Sequence, residues 1–303
     1  MDSIKVTSLY CFLELDSIDG KKSQLLDLCA SLKIKGLIIL SREGINGTIA
    51  GEENRVDLFI QQMGSIITHA DLNLKETLAK RNPFGRMKVK IKKEIVTLGI
   101  AGISESDDVG IYVEPNEWDE LIRSQNVVTI DTRNNYEIAI GSFTGAINPK
   151  TENFSDFPEW WRANKERFEG KAIAMFCTGG IRCEKSTKLL LKEGVETVYH
   201  LKGGILNYLA NSKGTGSQWK GECFVFDQRV SLGKNLKEGS CSLCFACRRP
   251  LTPDELLHPQ YEEGISCRHC YEKTCSEQKK NFRERQKQIK IADQRGDKHL
   301  KYF

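Results

Sequence analysis

The chain has 303 residues, 39% of them hydrophobic, and a formal net charge of +4. This length predicts two or three domains with ordinary cores, and the small net charge alone indicates no class of partner. No apolar run approaches the roughly 20 residues of a bilayer span, and residues 1–5 lack the basic and apolar regions of a signal peptide, so we expect a cytoplasmic protein without membrane contact.

The first 103 residues predict a small domain of alternating strands and helices. The expected elements are a strand, a helix, two strands, a helix and a strand, at residues 4–15, 25–32, 36–40, 48–50, 52–64 and 87–99. A turn at residues 42–47, with Asn46-Gly47 as its tight-turn dipeptide, joins the two middle strands. The order βαββαβ is that of a ferredoxin-like, or acylphosphatase-like, domain.

Two blocks of the sequence are strongly basic. Residues 80–93 hold seven basic residues and no acidic one, and residues 276–303 hold nine basic residues against four acidic ones. Two such blocks indicate a polyanionic partner. The second block is expected to be an exposed helix or a disordered tail, and it is a candidate arm for RNA.

Lysines in the first basic block alternate along a predicted strand, which places them on one face. That face either follows the phosphates of an RNA or is an ordinary solvated surface. Two polar residues of the predicted turn either contact RNA or only stabilise the turn. The candidate RNA contacts are Arg42, Asn46, Lys80, Arg81, Arg86, Lys88, Lys90 and Lys92.

Beyond a polar linker at residues 104–115, the pattern changes to apolar strands separated by helices. This pattern is typical of a parallel sheet, in which ligands bind at the carboxyl ends of the strands. The expected strands are residues 127–130, 172–176 and 195–201, and a helix is expected at 184–193. The second domain therefore spans residues 116–214.

Cys177 follows the strand at 172–176 and precedes a helix. Free backbone N–H groups, the helix dipole and the nearby Arg182 all lower a thiol pKa and favour the nucleophilic thiolate. The intervening glycines let N–H groups point inward and form an anion nest. The alternative is an inert buried thiol. The residues of the anion loop are Thr178, Gly179, Gly180 and Ile181.

Three other residues near this loop have two possible roles each. Cys183, six positions after Cys177, is either a resolving thiol that forms a disulfide with Cys177 or accepts sulfur from it, or an inert residue of the first helical turn. Asp131 and Arg133 end a predicted strand, and we expect them to anchor the fold as an ion pair or as caps rather than to act in catalysis.

The Cys177 loop resembles the active site of the rhodanese domains, and three further segments do so as well: Ile130-Asp131-Thr132-Arg133 with Glu137, Gly145-Ala146-Ile147-Asn148-Pro149, and Leu201-Lys202-Gly203-Gly204-Ile205. The related phosphatases have a loop one residue longer, which encloses phosphate, so the resemblance disfavours a phosphatase. It implies a rhodanese-like domain with Cys177 as its working group.

A narrower resemblance covers nearly the whole chain. Residues 41–48, 177–185 and 221–230, followed by the later cysteine pairs, together resemble the bacterial tRNA uridine hydroxylase family. The resemblance implies a tRNA partner and oxygen-dependent hydroxylation of the wobble uridine (position 34) at C5 to 5-hydroxyuridine, with molecular oxygen as co-substrate and Cys177 required. The sequence has no two-His-one-carboxylate iron signature and no flavin fingerprint, so it indicates no redox cofactor. It indicates no protein partner either.

Seven of the eleven cysteines lie in the Cys-rich region, residues 215–275. Two Cys-x2-Cys knuckles, Cys244 with Cys247 and Cys267 with Cys270, are separated by 19 residues. This spacing predicts a four-cysteine structural zinc site in a zinc-ribbon-like segment. Cys241 with Cys244 is an alternative first knuckle, and His269 is expected to be a bystander. Reduced cysteines packed in a small core are the remaining interpretation.

Three functions are therefore compatible with the sequence. The first is the tRNA hydroxylase with Cys177, Arg182 and Cys183 as catalytic residues. The second is a rhodanese-type sulfurtransferase that carries a Cys177 persulfide. The third, a non-catalytic RNA-binding or zinc scaffold, is disfavoured by the intact Cys177 and Arg182.

Overall fold

The computed structural model describes residues 3–67, 72–103, 107–211 and 217–295. The N-terminal domain is a five-stranded sheet with two helices on one face. Its elements are β1 (Ile4–Phe12), α1 (Ile18–Ser31), β2 (Lys35–Ser41), β3 (Gly44–Glu52), α2 (Glu53–Ile66), β4 (Asn73–Ala79) and β5 (Met87–Ile91).

The strand order is β4-β1-β3-β2-β5, antiparallel throughout except for the parallel pair β2–β5. Fully buried Leu25, Ile38 and Phe59 pack between the sheet and the helices. The other sheet face carries alternate residues of each strand, including Tyr10 and Lys75, and faces the rest of the protein. The predicted ferredoxin-like, acylphosphatase-like class is confirmed.

Two details of the prediction are wrong. The strand that completes the βαββαβ order is β4, which the sequence hides because it has few buried residues. Residues 87–99 form a strand only as far as Ile91, as an added fifth strand. The hairpin turn is Arg42-Glu43, since Ser41 pairs with Gly44, and Asn46-Gly47 lie inside β3.

Gly44 explains this turn. Its φ of 138° is favourable for glycine, and a Cβ there would lie 2.1 Å from the carbonyl oxygen of Cys11 on β1. Only glycine therefore lets β3 start so close to β1.

The second domain is built on a four-stranded, all-parallel sheet of order β6-β10-β9-β7. The predicted parallel sheet is confirmed, and β6 is a fourth strand beyond the three that were predicted. Two short 3₁₀ turns, at Phe154–Asp156 and Lys165–Phe168, flank its third helix, Phe157–Asn164. The elements are β6 (Ile111–Val113), α3 (Pro115–Leu121), β7 (Val127–Asp131), α4 (Asn135–Ile138), β8 (Gly141–Phe143), α5 (Phe157–Asn164), β9 (Ala172–Phe176), α6 (Ile181–Lys192), β10 (Val198–Leu201) and α7 (Gly204–Asn211).

The polar stretch expected to be a linker is partly structured. β6 and the start of α3 lie within residues 104–115, and β6 forms one edge of the parallel sheet. Residues 104–106 lie outside the described part of the chain.

The C-terminal region consists of short two-stranded sheets and a long final helix. Its elements are β11 (Trp219–Gly221), β12 (Cys223–Phe224), β13 (Ser231–Leu232), a 3₁₀ turn (Lys234–Leu236), β14 (Ser242–Leu243), β15 (Pro250–Leu251), α8 (Pro253–Leu256) and α9 (Ser276–Gln294). β11 pairs with β8 of the second domain, β12 pairs with β13, and β14 pairs with β15.

The basic tail forms an exposed helix, α9, over most of its length, and the end of the tail, including Leu300 and Phe303, lies outside the described residues. Within the described ranges, no helix is both long enough and apolar enough to cross a membrane.

Candidate active site and metal centre

Cys177 stands at the carboxyl end of β9, a central strand of the parallel sheet, and is buried. The N–H of Gly180 donates to its Sγ at 3.1 Å, and the backbone N–H groups of Arg182 and Cys183 also favour the charged form of the sulfur. Gly180 has a φ of 103°, which turns the loop so that these donors converge. The loop is therefore an anion nest centred on the sulfur.

The start of α7 fixes this loop from the other side. The N–H of Ile205 donates to the carbonyl of Cys177 at 2.9 Å, and that of Leu206 donates to the carbonyl of Thr178 at 3.0 Å. A Cβ on Gly204 would lie 2.6 Å from both carbonyl oxygens. The glycine at this position is what allows the close approach of the two segments.

The surroundings favour the thiolate form of Cys177. Burial raises the pKa of this thiol, but the hydrogen bond from Cys183, the charge of Arg182 and the backbone donors outweigh it and lower the pKa to about 6. Burial and the neighbouring Cys177 thiolate raise the pKa of Cys183 well above the usual range. The opposite directions of the two shifts favour the thiolate form of Cys177 and the thiol form of Cys183.

Arg182 is held by a buried carboxylate. Its Nη1 and Nη2 donate to Glu137 Oε2 and Oε1, each at 2.8 Å, and Glu137 is fully buried on α4. The carboxylate also accepts the backbone N–H of Asn134 at 3.0 Å and the hydroxyl of Thr178 at 3.4 Å. This bidentate pair fixes the guanidinium beside the loop.

Asp131, the last residue of β7, and Arg133 form a fully buried, bidentate ion pair. The guanidinium also donates to the carbonyl of Gly141 at 2.6 Å, and Ser142 donates to the Asp131 carboxylate at 2.7 Å. The pair therefore ties the end of β7 to β8, in keeping with the anchoring role that we expected.

The N-terminal domain also reaches the loop, which sequence reasoning missed. The hydroxyl of Tyr10 donates to Glu184, and it would lie 3.0 Å from a Cβ on Gly180. The side chain of half-buried Lys75 packs against Gly203, beside the same loop. No local sequence signal identifies these residues, because strand β1, strand β4 and the loop are far apart in the chain.

Ion pairs join the two domains at the same place. Lys185, on the helix that follows the loop, contacts Glu43 at 2.8 Å and Glu94 at 2.6 Å.

Of the predicted RNA contacts in the first hairpin, Asn46 donates to the carbonyl of Ile95 at 2.9 Å, whereas Arg42 is exposed at the turn. Asn46 thus has a structural role.

The remaining predicted RNA contacts lie at and after the end of β4 and along β5 of the N-terminal domain. Lys88 is half-buried, and the others are exposed: Lys80, Arg81, Arg86, Lys90 and Lys92.

The four cysteines of the predicted knuckles come together in one cluster, with every Sγ within 4.8 Å of the others. The Sγ–Sγ distances are 3.9 Å for Cys244–Cys270, 3.7 Å for Cys247–Cys267 and 3.8 Å for Cys267–Cys270. Tetrahedral ligation with Zn–S bonds of about 2.3 Å requires Sγ–Sγ distances of about 3.8 Å. The cluster therefore fits a metal ion of the size and geometry of zinc.

The structure also shows where the two other candidate ligands, Cys241 and His269, lie. Cys241 lies outside the four-cysteine cluster, and its side chain interacts with Ser231 and Glu222. His269 is a bystander, as expected, since its Nε2 lies 2.7 Å from Glu255 Oε1.

Comparison with known proteins gives consistent matches along the chain. Residues 4–95 match the family described as "UPF0176 acylphosphatase like domain", and residues 114–211 match the rhodanese-like domain. A protein of Ruegeria pomeroyi called "tRNA uridine(34) hydroxylase" is 53% identical over 97% of this chain and 98% of its own length. A Brucella ovis protein of the same name is 49% identical over 97% of both chains.

Proposed function

This chain belongs to the tRNA uridine(34) hydroxylase family, and we propose that it converts uridine 34 of tRNA to 5-hydroxyuridine with the Cys177 thiolate as its nucleophile. The observation that carries the proposal is the buried sulfur of Cys177, which accepts loop N–H groups and has its pKa lowered to about 6. Such a group is ionised at neutral pH and is positioned for covalent catalysis.

The first step that we propose is addition of the thiolate to C6 of the uracil ring. The sulfur lone pair forms the S–C6 bond, and the C5–C6 π pair moves towards C5 and O4 as an enolate. C5 is then electron-rich, and molecular oxygen adds there. Loss of the C5 proton and of the thiolate restores the double bond. With molecular oxygen as oxidant, a two-electron reductant and two protons release the second oxygen atom as water.

The other residues of the site have supporting roles in this proposal. Cys183 stabilises the thiolate through its hydrogen bond, and Arg182 stabilises it through its charge. Glu137 orients Arg182 through the bidentate pair. The loop residues Thr178, Gly179, Gly180 and Ile181 shape the nest that receives the sulfur and the developing negative charge.

We also propose that the cluster of Cys244, Cys247, Cys267 and Cys270 binds a structural zinc ion. Four protein thiolates fill a tetrahedral site, so zinc here would hold the small C-terminal region together rather than activate water. The RNA contacts of this proposal are the exposed basic residues of the N-terminal domain, Arg42, Lys80, Arg81, Arg86, Lys90 and Lys92, together with Lys88.

The function is tested by mass spectrometry of digested tRNA from a strain that lacks the gene. Enzymes that make the same modification in parallel are deleted too, so that they cannot mask the loss. The strain is complemented with wild type, with Cys177→Ser, or with Cys275→Ser as a control at an exposed cysteine. We expect wild type and Cys275→Ser to restore 5-hydroxyuridine and Cys177→Ser not to.

Persulfide transfer is the competing function of a rhodanese-like loop. Unchanged 5-hydroxyuridine derivatives in the deletion strain, with thiolated nucleosides missing instead, would overturn the hydroxylase proposal in its favour.

A further inference from the structure

A cleft of about 820 Å³ separates the N-terminal domain from the C-terminal region. It lies beside the thiolate loop, because the ring of Phe226 on its rim is 5.9 Å from the guanidinium carbon of Arg182. This volume lies in the range of clefts that bind small-molecule ligands. One wall carries Arg81, Arg86 and Lys88, and the other carries Phe226, Phe245 and Arg248.

Phe226 is the unusual residue of this cleft, since 61% of its surface is exposed. Leaving a large aromatic ring in water forgoes the free energy that its burial would give. The ring is nevertheless held in position on its inner side, because it packs edge-to-face on Phe224 with the centroids 5.1 Å apart. An exposed ring at a fixed position beside a catalytic loop is typical of a stacking surface for a ligand.

The backbone around Phe226 is also anchored to the opposite wall. The N–H of Gln228 donates to the carbonyl of Pro83 at 3.2 Å. Arg229 is paired with Asp227 and donates to Thr77 Oγ1 on β4 at 2.7 Å. The C-terminal region therefore presents Phe226 to the N-terminal domain with little freedom, which limits the entropy lost when a ligand binds.

The charge of the cleft identifies the ligand class. The wall formed by the N-terminal domain contains three basic residues and no acidic residue, and the acidic lining residues all lie on the opposite side of the cleft: Glu152, Asp227, Glu238 and Glu263. Burial is the main cause that lowers the pKa of Lys88, and the neighbouring positive charges of Arg86 and Lys90 lower it further. A basic track opposite an exposed aromatic ring is the arrangement with which proteins bind single-stranded nucleic acid.

We propose that a base of the anticodon loop next to the target uridine stacks on Phe226, while the adjoining phosphates lie along Arg81, Arg86 and Lys88. This inference rests on the proposed function, because it places the flanking nucleotide relative to a uridine at Cys177. It gives the C-terminal region a role in substrate binding, namely to hold the aromatic wall of the cleft in place. Phe226 is thus a positioning residue that helps to extrude the wobble base towards the thiolate.

The test uses the full-length protein and anticodon stem-loop RNAs that carry 2-aminopurine at position 33 or at position 35. Stacking on an aromatic ring changes the fluorescence of this base, so the two RNAs show which neighbour is contacted. We expect wild type to change the signal of one of them. Phe226→Ala should remove the change and weaken binding roughly 5- to 150-fold, the range of base–aromatic stacking. Phe226→Tyr should restore both properties.

Leu257→Ala is the control, since Leu257 is also a large exposed apolar residue, 84% exposed, and is not among the residues that line the cleft. It should bind like wild type. Wild-type affinity and an unchanged fluorescence response in Phe226→Ala would overturn the stacking proposal alone. Failure of the wild-type protein to bind either stem-loop would count against the proposed function as well. The exposed position of the ring means that Phe226→Ala should fold, which circular dichroism verifies.

Discussion

The hydroxyl of Tyr10, on the first strand of the N-terminal domain, donates a hydrogen bond of 3.2 Å to Oε1 of Glu184, in the first turn of the helix that follows Cys177. Tyr112 donates to the other oxygen of the same carboxylate at 2.9 Å. Burial raises the pKa of Glu184, although the two hydroxyls oppose this shift. The thiolate site is therefore assembled from two domains, and the position of the first domain affects the geometry of the loop.

Tyr10→Phe should lower the yield of 5-hydroxyuridine, because it removes the hydrogen bond that sets the N-terminal domain against the loop. The loss of one buried hydrogen bond should lower the free energy of unfolding by about 0.5–1.5 kcal/mol. Nucleoside mass spectrometry and chemical denaturation measure the two effects. Tyr199→Phe, on β10, should change neither by a comparable amount. Equal activity in the two variants would contradict the two-domain site.

The ionisation of Cys177 should appear as a thiolate absorbance near 240 nm with a midpoint close to pH 6, in the difference between wild type and Cys177→Ser. A thiol is neutral below its pKa, so the lowered value means that the thiolate signal persists at pH 7 and disappears as the pH falls through 6. Cys183→Ala should raise the midpoint, because it removes a hydrogen bond to the sulfur. A wild-type midpoint near 8.5, the value for a free cysteine, would refute the proposed environment.

Asp131→Asn should destabilise the fold by roughly 3–5 kcal/mol, because it leaves the fully buried Arg133 without its counter-ion. The midpoint of the Cys177 titration should not move, since neither residue contacts the loop sulfur. Denaturation and the absorbance titration together separate an anchor from a catalyst. If Asp131→Asn is as stable as wild type but shifts the midpoint of the Cys177 titration, the pair acts in the active site and the anchoring role is wrong.

The purified protein should contain one zinc ion per chain, measured by elemental mass spectrometry. Cys247→Ser and Cys267→Ser should each lose most of it, because both thiols belong to the cluster. Cys241→Ser is the control that retains the metal, since Cys241 lies outside the cluster. The reverse pattern, with zinc lost in Cys241→Ser and kept in Cys247→Ser, would show that the alternative first knuckle is used.

Features fixed by short stretches of sequence were predictable. The parallel sheet follows from its apolar strands, and the Cys177 loop follows from a strand, two glycines and a helix start within a few residues. The two knuckles likewise specify the cysteine cluster, although the sequence left Cys241 as an alternative to Cys247.

Features that depend on long-range packing were not predictable. β4 was missed because its polar side chains face the rest of the protein rather than a core, as Lys75 does against Gly203 and Thr77 does against Arg229. The turn was misplaced because Gly44 is required by the approach of β1, which no local pattern shows. The contacts of Tyr10 with Glu184 and of Lys185 with Glu43 join residues more than a hundred positions apart.

The central claim is that the Cys177 thiolate attacks the target uridine, and trapping with an anticodon stem-loop that contains 5-fluorouridine at position 34 tests it most directly. Fluorine at C5 cannot leave as the proton does, so the step that releases the enzyme is blocked. Under conditions in which wild type hydroxylates the unmodified RNA, we predict a covalent adduct that peptide mass spectrometry maps to Cys177. Cys177→Ser should form none. Active wild-type protein that forms no adduct, or an adduct at another residue, would contradict the account.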